Sequence, residues 1–155
     1  MLDALGLPLA LMDRTIAIPG IRVPGTGNDG RELWRVFFQP LARPHSLVVN
    51  RDGRRFGNES FFVELAEAMA TPGPGGTAPN TPAYFVWDEQ HVRRFGVPGD
   101  VPPALVTEAA SLAELAAGCG LPAGTFEQEV AGFNAAARSG APDPFGRGAT
   151  AYQRA

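Results

Sequence analysis

Two groups of residues have types and spacings that could do chemistry. Gly25-Thr26-Gly27-Asn28-Asp29-Gly30 spells G-x-G-x-x-G. Glycines so spaced let a backbone approach a pyrophosphate at a helix N-terminus, with an acidic residue about 20 positions on to hold a ribose. Asp52 sits near that distance. The context opposes this reading. Pro19, Gly20 and Pro24 fall where a central parallel strand would have to run, and Asp52 lies in a turn. The expectation is a plain Gly-rich loop rather than a nucleotide site. The second group is 43–64, RPHSLVVNRDGRRFGNESFFVE, which gathers Arg43, Arg55, Asn58 and Glu59. In one reading Glu59 stabilises a helix start and Arg55 pairs with it. In the other, these polar groups face a ligand cleft with Phe61 and Phe62 as an apolar wall.

Several other chemistries are excluded. Ser46, Ser60, Ser111 and Ser139 lack the G-x-S-x-G nucleophile elbow. His45 and His91 have no second His or Cys at ligand spacing, so no metal site is expected, and His91 is placed on a solvated helix face. The lone Cys119 permits no internal disulfide and reads as a small packing residue. All 13 basic residues are Arg, which leaves no Schiff-base or P-loop lysine. Asp13, Asp88 and Asp143 stand beside turns or helix starts, where carboxylates cap amides.

The elements that would position these groups can be read from local patterns. Residues 2–14 have a weak helical spacing, and 15–30 are expected to be loop. Residues 31–38 form a short helix or strand, and 46–57 a β-hairpin turning at Asn50–Gly53. Ser60 precedes a helix with Phe61, Leu65, Ala68 and Met69 on one face. Residues 71–82, TPGPGGTAPNTP, cannot be a regular element and are expected to be mobile. Residues 83–87 form a buried strand and 88–95 a short helix. Ser111 with Glu114, and Thr125 with Gln128, read as capping boxes that open two further helices. The tail 141–155 reads as irregular. This mixed order implies an α+β fold: a small, mainly antiparallel sheet with a β-hairpin, surrounded by helices.

The chain has 155 residues, 45% apolar, with a net charge of −3. It carries 19 Gly and 15 Pro, well above the ~12% usual for the two together. Ten Phe and the low charge argue for a turn-rich globular chain rather than disorder. No apolar run approaches the ~18 residues of a membrane span. Asp3 precedes any basic residue, against a signal peptide, so a cytoplasmic protein is expected. The acidic balance gives no general attraction for nucleic acid.

SLVVNRDGRRFGNES resembles the (I/L)VVN-x-x-G-x-RF-x-NE segment of FAD-dependent oxidoreductases of the fumarate reductase and 3-ketosteroid dehydrogenase type. PAYFVWDEQHVRRFG resembles that family's strand ending in Asp and its following helix. Residues 111–152 are similar to its T/S-L-x-E-L-A … V-x-x-F-N … G-x-D-x-x-F-G-R-G-x-x-x-Y segment, closest to the ketosteroid dehydrogenase branch. The resemblance implies that 1–155 is a single capping, or substrate, domain, with the FAD-binding domain absent from this chain. That domain would be the partner holding FAD, and most FAD contacts would be missing here. Exposed apolar surface is then expected near residues 1–20 and in the tail.

The parent enzyme would be a dehydrogenase exchanging hydride between flavin and an apolar, 3-ketosteroid-like substrate. The isolated chain is not expected to be active. The implied substrate wall is Phe37, Phe38, Phe61, Phe62 and Val63. The implied cofactor or active-site polar residues are Arg43, Arg55, Asn58 and Glu59, with Arg43 resembling a proton-relay arginine. The family's proton-handling residue falls on Val63, which handles no proton, so no catalytic residue is assigned. The alternative is a non-catalytic binding module or an inactive truncated remnant.

Overall fold

The computed structural model describes residues 15–98 and 101–154. The helix expected at 2–14, with Asp13, lies outside them. The described residues form an α+β arrangement with two separate two-stranded antiparallel sheets, rather than one sheet. Strands β1 (Gly20–Thr26) and β2 (Glu32–Val36) form the first. Strands β3 (Ser46–Val49) and β4 (Tyr84–Trp87) form the second. The helices are α1 (Phe62–Ala70), α2 (Glu89–Phe95), α3 (Leu112–Cys119), α4 (Ala123–Ser139) and α5 (Ala151–Arg154).

The Gly-rich motif is a hairpin turn. Gly27 N–H donates to Arg31 O (2.8 Å) and Gly30 N–H to Gly27 O (2.9 Å). Asp29 Oδ1 accepts from Arg31 N–H (3.1 Å), and Gly25 and Gly30 have positive φ. The loop expected at 15–30 therefore contains β1, paired with β2 across these glycines. The ladder shifts register between Val23 and Thr26, at Pro24, which has no N–H to give. No helix follows Gly30, so the motif offers no helix N-terminus to a phosphate.

The hairpin expected at 46–57 has its turn but not its second strand. Asn50 Oδ1 accepts from Asp52 N–H (3.0 Å) and Arg54 N–H (3.1 Å), and Gly53 takes φ 73°. Yet β3 pairs with β4, more than thirty residues away, in the register Ser46↔Trp87 to Val49↔Tyr84. The reason lies on the opposite edge of β3. There Val48 N–H donates to the Glu59 carboxylate (3.2 Å), so a side chain takes the donor a hairpin partner would have used.

Strand β3 is buried along its whole length. Its alternating faces serve two cores, as a strand's two-residue period requires. Leu47 and Val49, with Tyr84 and Val86, pack against Ala116, Leu121 and Phe126 of the α3–α4 pair. Val48 and Phe85 face Leu65 of α1 and Phe37 and Leu41 beyond β2. Gly53 lies against α4: a Cβ there would stand 3.1 Å from the Phe126 Cβ.

Side-chain caps begin α2 and α3. Asp88 accepts from His91 N–H (3.0 Å) and begins α2. Ser111 accepts from Glu114 N–H (3.2 Å) and begins α3, while Glu114 reaches back to Ala110 N–H (3.1 Å). The Thr125 box does not form. Helix α3 ends at the left-handed Gly120, Leu121 N–H bonds Ala116 O (2.8 Å), and α4 has begun by Ala123. Thr125 is then already inside the helix. Phe61 is likewise not on the buried face of α1: it precedes the helix and is exposed, and Leu65 and Ala66 are the buried residues.

The segment 71–82 holds one 3₁₀ turn, Pro74–Gly76. It is tied down by Asn80, which bonds Ala68 O and the Asn50 amide (3.0 Å each). Ile16, Ile18 and Phe145 are exposed, as expected near the two ends, and so are Trp34 and Val36 of the first hairpin.

Candidate functional site

Arg55 and Glu59 leave the tight turn after β3 and point inward. Arg55 Nε and Nη2 donate to the two Glu59 oxygens (2.7 and 2.8 Å), a bidentate pair. Arg55 Nη1 donates to Asp143 Oδ2 (2.6 Å), and its guanidinium lies over the Phe133 ring at 4.8 Å. Asp143 also accepts from Phe145 N–H (2.9 Å) and Arg147 N–H (3.2 Å), so the turn after α4 is built around it. Arg147 Nη1 stands 3.3 Å from Glu59 Oε2.

Arg147 also reaches the start of β3, donating to Ser46 O (2.7 Å) and Arg43 O (2.8 Å). Two carboxylates and two guanidiniums thus satisfy one another away from water. Asn58, also buried, accepts from Ser60 N–H (3.0 Å) and shapes the same turn.

The titration behaviour follows from this packing. Burial by itself works to lower the Arg55 pKa, but hydrogen bonds to Glu59 and Asp143 outweigh it and raise it above the ordinary arginine value. Burial works to raise Asp143, and the Arg55 hydrogen bond and charge bring it below the usual carboxylate range. Arg147 is lowered, by burial first, with repulsion from Arg55 adding to it despite the attraction of Glu59.

A second constellation lies on the other side of Arg43. Phe37, Phe38, Gln39, Arg43, Phe95 and Val97 line an open groove of about 380 Å³. The Arg43 guanidinium stands 5.1 Å from the Phe95 ring centre. Phe38 packs on Phe62 (4.6 Å between ring centres) and Phe37 meets Phe85 edge-on (5.5 Å).

The expected site residues therefore divide. Phe37, Phe38 and Arg43 come together in the groove, with Phe62 supporting it. Arg55, Asn58 and Glu59 lie in the buried cluster instead. Val63 is half-buried on α1, and Phe61 faces solvent.

His91 was expected on a solvated face but is fully buried. Its Nδ1 bonds Pro44 O (2.9 Å) and its ring sits among Phe85, Trp87 and Phe95. The sequence reading missed Gln39, Phe95 and Arg147 as partners of these sites. The D-P-F-G-R-G run, with Asp143 and Arg147 four apart, was the available signal for the cluster.

Among the described residues no group of three His, Cys, Asp or Glu could hold a metal. No described helix is long and apolar enough to cross a membrane. Two of the expected groups offer a flavin dinucleotide no place. Their G-x-G-x-x-G match is closed into a hairpin turn, and the Arg55–Glu59–Asp143–Arg147 cluster has spent its polar atoms internally.

No family model and no solved structure matches the chain. Curated relatives do. A 3-oxosteroid 1-dehydrogenase of Mycobacterium tuberculosis is 39% identical over 169 aligned positions, covering 98% of this chain and 28% of its own length. A 4-oxocyclohexanecarboxylate 2-dehydrogenase of Sinomonas cyclohexanicum is 38% identical over 138 positions, 85% of this chain and 24% of its own length. A 4-oxocyclohex-2-ene-1-carboxylate 5-dehydrogenase of the same organism is 30% identical over 81% of this chain. The chain spans about a quarter of the length of these relatives. Over most of its length, it is homologous to part of the FAD-dependent oxidoreductases of the 3-ketosteroid dehydrogenase type.

Proposed function

We propose that this chain is the substrate-covering part of an FAD-dependent dehydrogenase acting on a cyclic oxo compound. One observation carries the reading: the 39% identity that runs through 98% of the chain to a 3-oxosteroid 1-dehydrogenase. The groove is consistent with it, because Phe37, Phe38 and Arg43, three of the residues expected at the site, come together there. In this reading the flavin is held by a partner domain. The chain's own residues bind and orient the ring and shield it from water. Arg55, Glu59, Asp143 and Arg147 are positioning residues: they hold β3 and the Arg43 backbone, and touch no substrate.

The test is a chimera in which this chain replaces the matching segment of the M. tuberculosis relative. The flavin-loaded chimera is expected to oxidise a 3-oxosteroid or a simple cyclic ketone in the presence of an electron acceptor. A folded, flavin-loaded chimera that turns over neither would contradict the proposal.

A second reading, a non-catalytic remnant, is favoured by one position. The resemblance puts the family's proton-handling residue at Val63, whose side chain carries no titratable group.

A further inference from the structure

We propose that His91 makes the segment 43–45, which leads into β3, a latch that opens on acidification. Pro44 and His45 are exposed, and the His91 ring behind Pro44 is fully buried. Two bonds tie this segment to the start of α2. His91 Nδ1–H donates to Pro44 O (2.9 Å), and Asp88 N–H donates to His45 O (3.2 Å). The first bond fixes the neutral tautomer, with the proton on Nδ1 and a lone pair on Nε2. Nε2 is buried and makes no hydrogen bond among the described residues. The ring is enclosed instead by Phe85, Trp87 and Phe95, with centres 5.9, 6.4 and 5.2 Å away.

A second proton on this ring must sit on Nε2. An unpaired acceptor among aromatic rings is tolerated, but a charged N–H without an acceptor is far costlier. The neighbouring charges do not offset it. The oxygens of Asp88 are engaged by the His91 backbone N–H (3.0 Å), by Gln90 (3.3 Å) and by the His45 ring (3.7 Å). Arg43 and Arg94 both stand over Phe95, at 5.1 and 5.2 Å, so a charged His91 adds a third cation beside that ring. Glu89 is paired with Arg93 on the exposed side of α2 (2.6 Å). From β4 come Phe85 and Trp87, which carry no charge. The imidazolium reaches water only by leaving its enclosure, and that breaks the Pro44 bond. The closed form therefore binds one proton fewer than the open form, and acid favours opening. His45 adds to the tendency. It is the one non-glycine residue with positive φ (60°) among the described residues, and that backbone relaxes once the bonds on either side of it are gone.

Amide exchange of the 155-residue chain, followed by NMR at about pH 7.5 and about pH 5.5, tests this, both values lying above the range in which carboxylates titrate. Asp88 N–H reports the latch, because its bond to His45 O breaks on opening. Its protection factor is expected to fall at least about tenfold between the two values, since one linked proton shifts an equilibrium by up to about tenfold per pH unit. The ring-nitrogen signals of His91 should pass from the neutral to the doubly protonated pattern over the same interval. His91→Asn offers an amide N–H in place of Nδ1–H and takes up no proton here, so its Asp88 protection should be equal at the two values. His45→Asn, which suits a left-handed backbone, should keep the fall.

Equal protection of Asp88 at the two values in the unsubstituted chain overturns the proposal. So does a fall that persists in His91→Asn. A fall that occurs while the His91 ring stays neutral overturns it too, and that measurement needs no variant to fold. A fall shared equally by the amides of α4 is global unfolding rather than a latch, and has the same consequence. Loss of the effect in His45→Asn places the trigger on the exposed ring beside Asp88 and likewise overturns the proposal. These outcomes leave the dehydrogenase reading untouched, because turnover by the chimera decides that separately.

Discussion

Arg55 shows how a single side chain can hold distant parts of this chain together. Its guanidinium bridges Glu59, four residues on, and Asp143, which lies past the end of α4. Removing one member of a buried ion cluster leaves the remaining charges without compensation, and that is costlier than never having built the cluster. Arg55→Ala should therefore lose about 3–5 kcal/mol of stability, read from the denaturant midpoint.

Asp143 adds a pH dependence. Its folded pKa lies below its unfolded one, so on acidification the unfolded chain takes up the proton first. Its contribution is complete above the ordinary carboxylate range and is lost as pH falls through its lowered value. Asp143→Asn is expected to flatten that part of the stability–pH curve while lowering stability near neutrality. An unchanged acid slope in this variant would show that other carboxylates carry it.

Among the elements, the turn between β3 and Arg55 couples local conformation to packing. Gly53 holds φ 73° and lies against Phe126 of α4, closer than a Cβ can stand without displacing its neighbour. Gly53→Ala should cost at least about 1–2 kcal/mol for the left-handed backbone alone, with a further loss where Phe126 must move. Urea unfolding of the pair of proteins measures this. The turn was legible because it is closed locally: Asn50 accepts from the backbone N–H groups of Asp52, Gly53 and Arg54. The second strand was misread because a turn closed by a left-handed Gly53 ordinarily leads into a returning strand over the next residues. What they lacked was a free edge on β3, and that edge belongs to Glu59. The Thr125 box failed for a similar reason: Gly120 and Leu121 close the α3–α4 corner early, so the helix starts before the box can cap it.

For the whole molecule, the two faces of the β3–β4 sheet divide the labour. One face builds the α3–α4 core. On the other side the chain assembles α1, the first hairpin and the aromatic groove. Val63 belongs to this second half, and the proposed function predicts what it limits. In the flavin-loaded chimera, Val63→Tyr is expected to raise turnover by about 100-fold or more, the usual lower range for a positioned proton-transfer group. No gain in a folded, flavin-loaded variant would show that proton handling does not limit this protein.

Short-range chemistry was decided by sequence alone. The Asn50–Gly53 turn, the Asp88 and Ser111 caps and the Arg55–Glu59 pair each join residues within four positions of one another, where few alternatives compete. The ordered motifs from residue 43 onward likewise identified the dehydrogenase family. Only the tertiary structure decided which strand pairs with β3, that His91 is buried, and that Arg43 meets Phe37, Phe38 and Phe95 in one groove. Those outcomes depend on segments tens of residues apart competing for the same edge or face. Burial and hydrogen-bond satisfaction settle that competition across the whole fold, and no window of sequence contains both partners.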